Sequence, residues 1–373
     1  MATVIDVSFL LSGRDGTVRA DGSVRQFAAR GPAVAAARAG SAVVGAFAFE
    51  SDGPAALSVP GRLTRDPLPL PGRPPLNHQV TLRDTRPDAS THRARVATVR
   101  DTIATGTADK VVLARAIELA TTSAVDEHSL SEALAGGNAE HNAFCVDLSA
   151  AGPNYRDRLL IGASPELLVS KRGDRVYAHP YAGSAARSSD PVADQAAAQS
   201  LSSSAKDHAE HRFVVDYLRT ALAPFCADVQ APETPVLLAT GELWHLATPI
   251  VGTLADPSIT SLELALALHP TPAVCGTPTA AAAAIIADVE GPRGFYSGAI
   301  GYNTADGDGD WLVAIRCAEL AADRRSLIAH AGGGIVAQSD PDAELAETTT
   351  KFATILRALT GSAVIPERAD SLP

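Results

Sequence analysis

The chain has 373 residues, 46% hydrophobic and 20% charged, a balance that buries a sizeable core in an ordinary globular protein. A formal net charge of -11 argues against nucleic acid or an anionic membrane as partner and points to a small-molecule enzyme. No start resembles a signal peptide, and the longest apolar run, from Thr279, is too short and alanine-rich to span a bilayer. The cysteines Cys145, Cys226, Cys275 and Cys317 lie far apart without a CxxC pair, so we expect buried thiols and a cytoplasmic location.

Residues 1 to 60 read as short strands with Gly/Pro turns, among them SAVVGAFAFE and AALSVPG. PLPLPGRPPLN, from Pro67, is a Pro-rich surface connection inside one domain, because HQVTL after it reads as another strand. A helix is expected from about Ser90 to Thr105. DKVVLARAIELA then alternates as a strand with Lys110 at its entrance, followed by a helix at SLSEALAGG and the strands AFCVDL, LLIGAS and ELLVSKRGDRVYAHP. From Asp190 to Phe225 the pattern is helical. The strands of VLLATGELWHLATPIVGTL follow, then a helix ending at LALALHP, the irregular TPAVCG, and an alanine-rich helix capped by Thr277 and begun by Pro278. Three more strands, GFYSGAIGYN, WLVAIRCAEL and SLIAHAGGGIV, precede one final helix that Asp340 caps and Pro341 begins. Length alone suggests two or three domains, whereas hairpin-linked strands with grouped helices indicate α+β with antiparallel sheets.

Two helices carry the same device. In SAKDHAEHRFVVDYLRTAL the apolar stripe through Val214, Tyr217, Leu218 and Ala221 has Glu210 at its front end, with Asp207 one turn ahead. Near the C-terminus Glu344, Glu347 and Lys351 share one face. If the helices face each other across a cleft, four carboxylates converge and would repel one another unless a divalent metal sat between them. Two solvated acidic helix starts, which favour the macrodipole, are the alternative.

Only four of the 31 basic residues are lysines, Lys110, Lys171, Lys206 and Lys351. Arginine keeps its proton in a protein while a buried lysine can act as a base, so lysines here can mark special sites, although Lys171 reads as an ordinary hairpin residue. AGGGIV, from Ala331, lacks the spacing of a nucleotide loop, yet its glycines could admit a carboxylate to backbone N–H groups. Glu166 in GASPELLV could be an edge residue, and His245 in ELWHLATP a satisfied core histidine. Arg316, in the apolar WLVAIRCAEL, wants an anion.

DKVVLARAIEL, GASPELLV, HPYAGSAARS, SAKDHAEH, LWHLATP, LHPTPAVCGTP, GFYSGAIGY, WLVAIRCA, AGGGIV and ELAETTTK, in this order, resemble the chorismate-binding enzymes and most of all the isochorismate synthases. The resemblance covers about residues 109 to 359. It implies a single α+β domain over residues 1–373, two large antiparallel β-sheets packed as a sandwich with helices outside, with the catalytic motifs within 101–360 and residues 1–100 matched weakly.

The resemblance makes Lys110 the general base that activates water for attack at C2 of chorismate, and Glu166 the general acid for the departing C4 hydroxyl. Such roles ask for a neutral lysine and a protonated glutamic acid near pH 7. It also implies Mg2+ held by Glu210 and Glu347, with Asp207 and Glu344 helping directly or through water, and substrate bound by Gly183, His245, Ala273, Arg316, Gly332, Gly333, the backbone at Gly334, and Lys351. The implied product is isochorismate, which feeds siderophore, salicylate or menaquinone synthesis. Ala273, in a loop where relatives that expel pyruvate tend to carry threonine, favours stopping there over salicylate synthesis. Lys110, which ammonia-using relatives usually lack, implies work without a glutaminase subunit, and the resemblance, to a family often monomeric, implies a monomer.

Overall fold

The computed structural model describes residues 7–239 and 243–368. Its helices begin where side chains can satisfy the first free N–H groups. Ser204 Oγ accepts from the Asp207 N–H at 3.2 Å, and Asp340 accepts from Asp342 and Ala343, as expected for a cap followed by proline. The Glu210 helix spans Ala205–Leu222 and buries Val214, Leu218 and Leu222, so its apolar stripe faces inward with the carboxylate at its leading end.

Among the described residues all ladders between strands are antiparallel, and seventeen strands join into one continuous hydrogen-bonded network. A separate three-stranded sheet places Leu243–Ala247 between Tyr181–Ala186 and Val236–Ala239. Residues 240–242, within the expected VLLATGELWHLATPIVGTL strands, lie outside the described residues. The first hundred residues share the same network: Val7–Gly13 pairs with Ala143–Asp147, Val43–Phe47 with Ala299–Asn303, and Val80–Arg86 with Lys110–Thr121.

The strand Lys110–Thr121 is buried along almost its whole length rather than alternating in and out. The reason is tertiary: Val111 and Leu113 pack with Ala282 and Ile286 of the helix Thr279–Val289, while Lys110 and Val112 on the other face line a cavity.

Several boundaries differ from expectation. A helix, Arg30–Arg38, lies within residues 1 to 60 and buries Ala33, Ala36 and Ala37. Thr277 does not cap the alanine-rich helix; it pairs with Lys110 in a two-residue strand, leaving Pro278 at the cap position. WLVAIRCAEL is broken after Val313 and resumes at Cys317, because Arg316 takes φ 51° and its carbonyl accepts from Ala163 N. The last helix is two, Pro341–Lys351 and Ala353–Thr360, parted where Phe352 N bonds back three residues to Thr349. Cys145, Cys275 and Cys317 are buried free thiols and Cys226 is partly buried.

Candidate active site

A cavity of about 310 Å³ opens between the Lys110 strand, the Gly332–Gly334 strand and the two acidic helices. Lys110, Glu166, Gly183, His245, Ala273, Arg316, Gly332 and Lys351 all line it, as do Asp207, Glu210, Glu344 and Glu347. Gly333 does not; it turns toward the acidic helix, where an added β-carbon would stand 3.0 Å from Glu344 Oε2. The glycines lie within the strand Ser326–Ile335, not in a loop, and are paired along one edge with Val112, Leu113 and Ala114.

Lysines hold the acids. Lys110 Nζ is 2.8 Å from Glu210 Oε1, Lys351 Nζ is 2.6 Å from Glu347 Oε1 and 2.8 Å from the Gly332 carbonyl, and Lys206 Nζ is 3.9 Å from Glu344 Oε1. Three of the four lysines therefore gather in this cavity. The fourth, Lys171, is buried on its hairpin against Asp308, away from the site. Lys110 is fully buried yet not alone: its nitrogen is engaged by Glu210, and base chemistry requires that pair to part.

Glu166 is shifted in the direction its expected role needs. Burial raises its carboxyl to about 7, against the opposing pull of Lys110, Lys351 and Arg316. His245, in the strand Leu243–Ala247, is held well below its ordinary value by burial, and its ring stacks on Tyr181 at 5.7 Å. A neutral histidine in the cavity wall is a hydrogen-bonding group rather than a cation. Gly183 takes φ 76°, and an added β-carbon would stand 3.0 Å from Asp207 Cβ, so both conformation and space demand glycine there.

Among the described residues no group of three His, Cys, Asp or Glu side chains stands at ready-made metal spacing. The donor chemistry nevertheless suits a hard cation. Glu344 is buried, its Oε1 accepts from Ser339 at 2.7 Å, and its Oε2 has no hydrogen-bond partner among the described residues. Burial and the neighbouring Glu347 raise the Glu344 carboxyl to about 7, while burial also raises Asp207. Gly333 and Gly334 leave open the space in front of Glu344 and Glu210 that any side chain would fill. A magnesium ion, which keeps several waters and needs few carboxylates, fits such a partial donor set.

Sequence reasoning passed over Tyr181, Ser184 and Tyr296, which also line the cavity, and singled out Lys206 as a rare lysine without placing it there. Ser184 Oγ donates to Glu347 Oε1 at 3.3 Å, and Tyr296 stacks on His330 at 4.9 Å. Only Lys206 carried a usable signal, the rarity of lysine.

The chain belongs to the chorismate-binding enzymes, whose sequence model, described as Chorismate binding enzyme, matches residues 70–360. It is 48% identical to MenF of Mycobacterium tuberculosis over 94% of this chain and 95% of that one. Its identity to the isochorismate synthase DhbC of Bacillus subtilis is 49%, over 69% of this chain and 64% of the other. The crystal structure of DhbC from Bacillus anthracis has the same fold, with a TM-score of 0.88 at 35% identity, covering 96% of this chain and 97% of that one. The expected α+β architecture of large antiparallel sheets with helices is thus the one found.

Proposed function

We propose that the protein is an isochorismate synthase, an isomerase that converts chorismate to isochorismate in a magnesium-dependent reaction. The observation that carries this reading is the placement of Lys110 and Glu166 in one buried cavity, with the carboxyl of Glu166 raised to about 7. Its similarity to DhbC of Bacillus subtilis, named an isochorismate synthase, supports it.

In this mechanism Lys110, as the neutral amine once the Glu210 pair has parted and its extra proton has gone to solvent, takes a proton from the water that attacks C2 of the ring. Protonated Glu166 gives its proton to the departing C4 hydroxyl, which leaves as water, so atoms and charge balance. Arg316 and Lys351 supply cations for the substrate's carboxylates, and neutral His245, Ala273 and the backbone at Gly183 and Gly332 shape the remaining wall. Asp207, Glu210, Glu344 and Glu347 would hold magnesium, whose charge, when bound, offsets the acids and a substrate carboxylate.

The presence of Lys110 supports water rather than ammonia as nucleophile, and so no glutaminase subunit; a monomer is the state the family resemblance supports. No helix among the described residues is long and apolar enough to cross a membrane. We place the enzyme in the cytoplasm, supplying isochorismate to siderophore, salicylate or menaquinone synthesis.

The test is a product assay with chorismate and magnesium and no ammonia. Lactate dehydrogenase coupling should report little pyruvate until an isochorismatase is added. Pyruvate released at the rate of chorismate loss without that second enzyme would make the protein a salicylate synthase instead, and would remove the significance given to Ala273.

A further inference from the structure

Arg293, only 7% exposed, has no part in the chemistry above, yet its guanidinium is engaged on every side. Nε and Nη2 donate to the two carboxylate oxygens of Glu290 at 2.9 and 2.8 Å, Nη1 donates to the Val274 carbonyl at 2.7 Å, and Nη2 donates also to the Val112 carbonyl at 2.7 Å. The ring of Phe49 covers one face at 4.7 Å, and the Arg293 backbone N–H donates to Glu50 Oε1 at 2.6 Å. Both side chains of the Glu290–Arg293 pair are nearly sealed from water, and neither residue is among those lining the catalytic cavity.

The pair completes an edge of the Lys110 strand. Gly276–Thr277 pairs with Val111 and Lys110, and Val80–Arg86 reaches no further back than Ala116. Between the two, the Val112 N–H donates to the Cys275 carbonyl, and among the described residues no strand lies beyond it. There the Val112 carbonyl accepts from Arg293, and the Ala114 N–H donates to Glu290 Oε1 at 2.7 Å, so two side chains satisfy backbone groups that a neighbouring strand would otherwise take. The opposite edge of the same residues carries Gly332, Gly333 and Gly334.

The fork also joins two walls of the cavity. Val112 belongs to the strand that begins at Lys110, Val274 follows Ala273 in the irregular loop, and all four residues line the cavity. A planar, permanently charged group that grips one carbonyl from each wall fixes their separation, because the directions of its N–H bonds do not change. A lysine has three donors radiating from one nitrogen and cannot reproduce that span. Resting on the function proposed above, we propose that Arg293 is a positioning residue for that reaction, setting the distance between the Lys110 strand and the Ala273–Val274 loop and hence where the base stands relative to the ring. Glu290 holds the fork in register, and Phe49 and Glu50 bring the first hundred residues into the same clamp.

Arg293→Lys keeps the ion pair and loses the fork. Its kcat/KM for chorismate should fall about 10- to 100-fold, kcat because Lys110 is displaced and KM because the loop withdraws. Magnesium binding, read by calorimetry, should stay near that of the parent, since the fork touches neither acidic helix. Glu290→Asp, which draws the carboxylate back by one methylene and keeps its charge, should lose kcat/KM in the same direction. Val99→Ala removes buried methyls from the core behind the same strand without touching the fork, so it should lower the melting temperature and leave kcat/KM parent-like. Parent-like kcat/KM in Arg293→Lys overturns the positioning role, as does an equal loss in Val99→Ala or a magnesium affinity that falls as far as kcat/KM; if Arg293→Lys does not fold, Glu290→Asp decides by the same criteria. If the parent binds chorismate but does not convert it, the proposed function falls, and calorimetry of chorismate binding, which Arg293→Lys should weaken, still tests the clamp; if the parent does not bind chorismate, both fall.

Discussion

A β-carbon on Gly334 would stand 2.7 Å from Glu210 Oε1, so the strand and the acidic helix approach closely only because no side chain intervenes. The same added atom would meet Lys110 Cε at 2.8 Å. Gly334→Ala should therefore fold but push the carboxylate and the lysine apart together. We expect kcat/KM to fall about 10²-fold, as small misplacements of reacting groups do. Parent-like kinetics with a parent-like melting curve would show that the close approach has no catalytic purpose.

Lys110→Gln should keep the fold and lose about 10²- to 10⁴-fold in turnover, because an amide cannot accept the water's proton. Lys110→Arg should fail equally, since the guanidinium stays charged. Removing the lysine also strands Glu210, which is largely buried. Lys110→Gln should melt below the parent, and adding Glu210→Gln should recover part of the loss while activity stays absent. Thermal scans of the two variants, read beside their rates, check the pairing and the chemistry separately.

Glu166 gives a pH dependence with a definite sign. Its carboxyl is raised from the ordinary 4.5 to about 7, and its acid role needs the protonated form, so kcat should fall as pH rises through about 7. The same shift bears on stability: the contribution is fully present below the ordinary value and is lost as pH rises through the folded one. Glu166→Gln cannot ionise. It should be nearly inactive yet melt higher than the parent at pH 8 to 9, with the gap closing toward pH 5. A parent whose activity is flat from pH 6 to 9 would remove Glu166 as the acid.

The acidic helices make a prediction about metal. EDTA should abolish activity and added magnesium restore it. Calorimetry should find weaker magnesium binding for Glu210→Gln and for Glu347→Gln, with the double variant no worse than mildly additive because both carboxylates act on one ion. Full activity in metal-free buffer would leave these acids as partners of the cavity lysines rather than metal ligands.

The sequence by itself determined the local pieces. Caps at Ser204 and Asp340, the proline after Asp340, and the apolar stripe behind Glu210 place two acidic helix starts without any long-range information, because each acts within a turn or two. The ordered motifs around Lys110, Glu166 and Glu347 were legible as a resemblance to the chorismate-binding enzymes.

What tertiary structure decided concerns contacts between segments distant along the chain. The pairing of Lys110 with Glu210 crosses a hundred residues, and nothing near Lys110 announces it. The unpartnered Oε2 of Glu344 and the clearance left by Gly333 exist only once strand and helix are packed. The turn at Arg316 follows from the carbonyl bond to Ala163, which overrides an otherwise continuous apolar strand pattern. The burial that raises Glu166 to about 7 is likewise a property of the closed cavity, since desolvation depends on every segment that excludes water from the group.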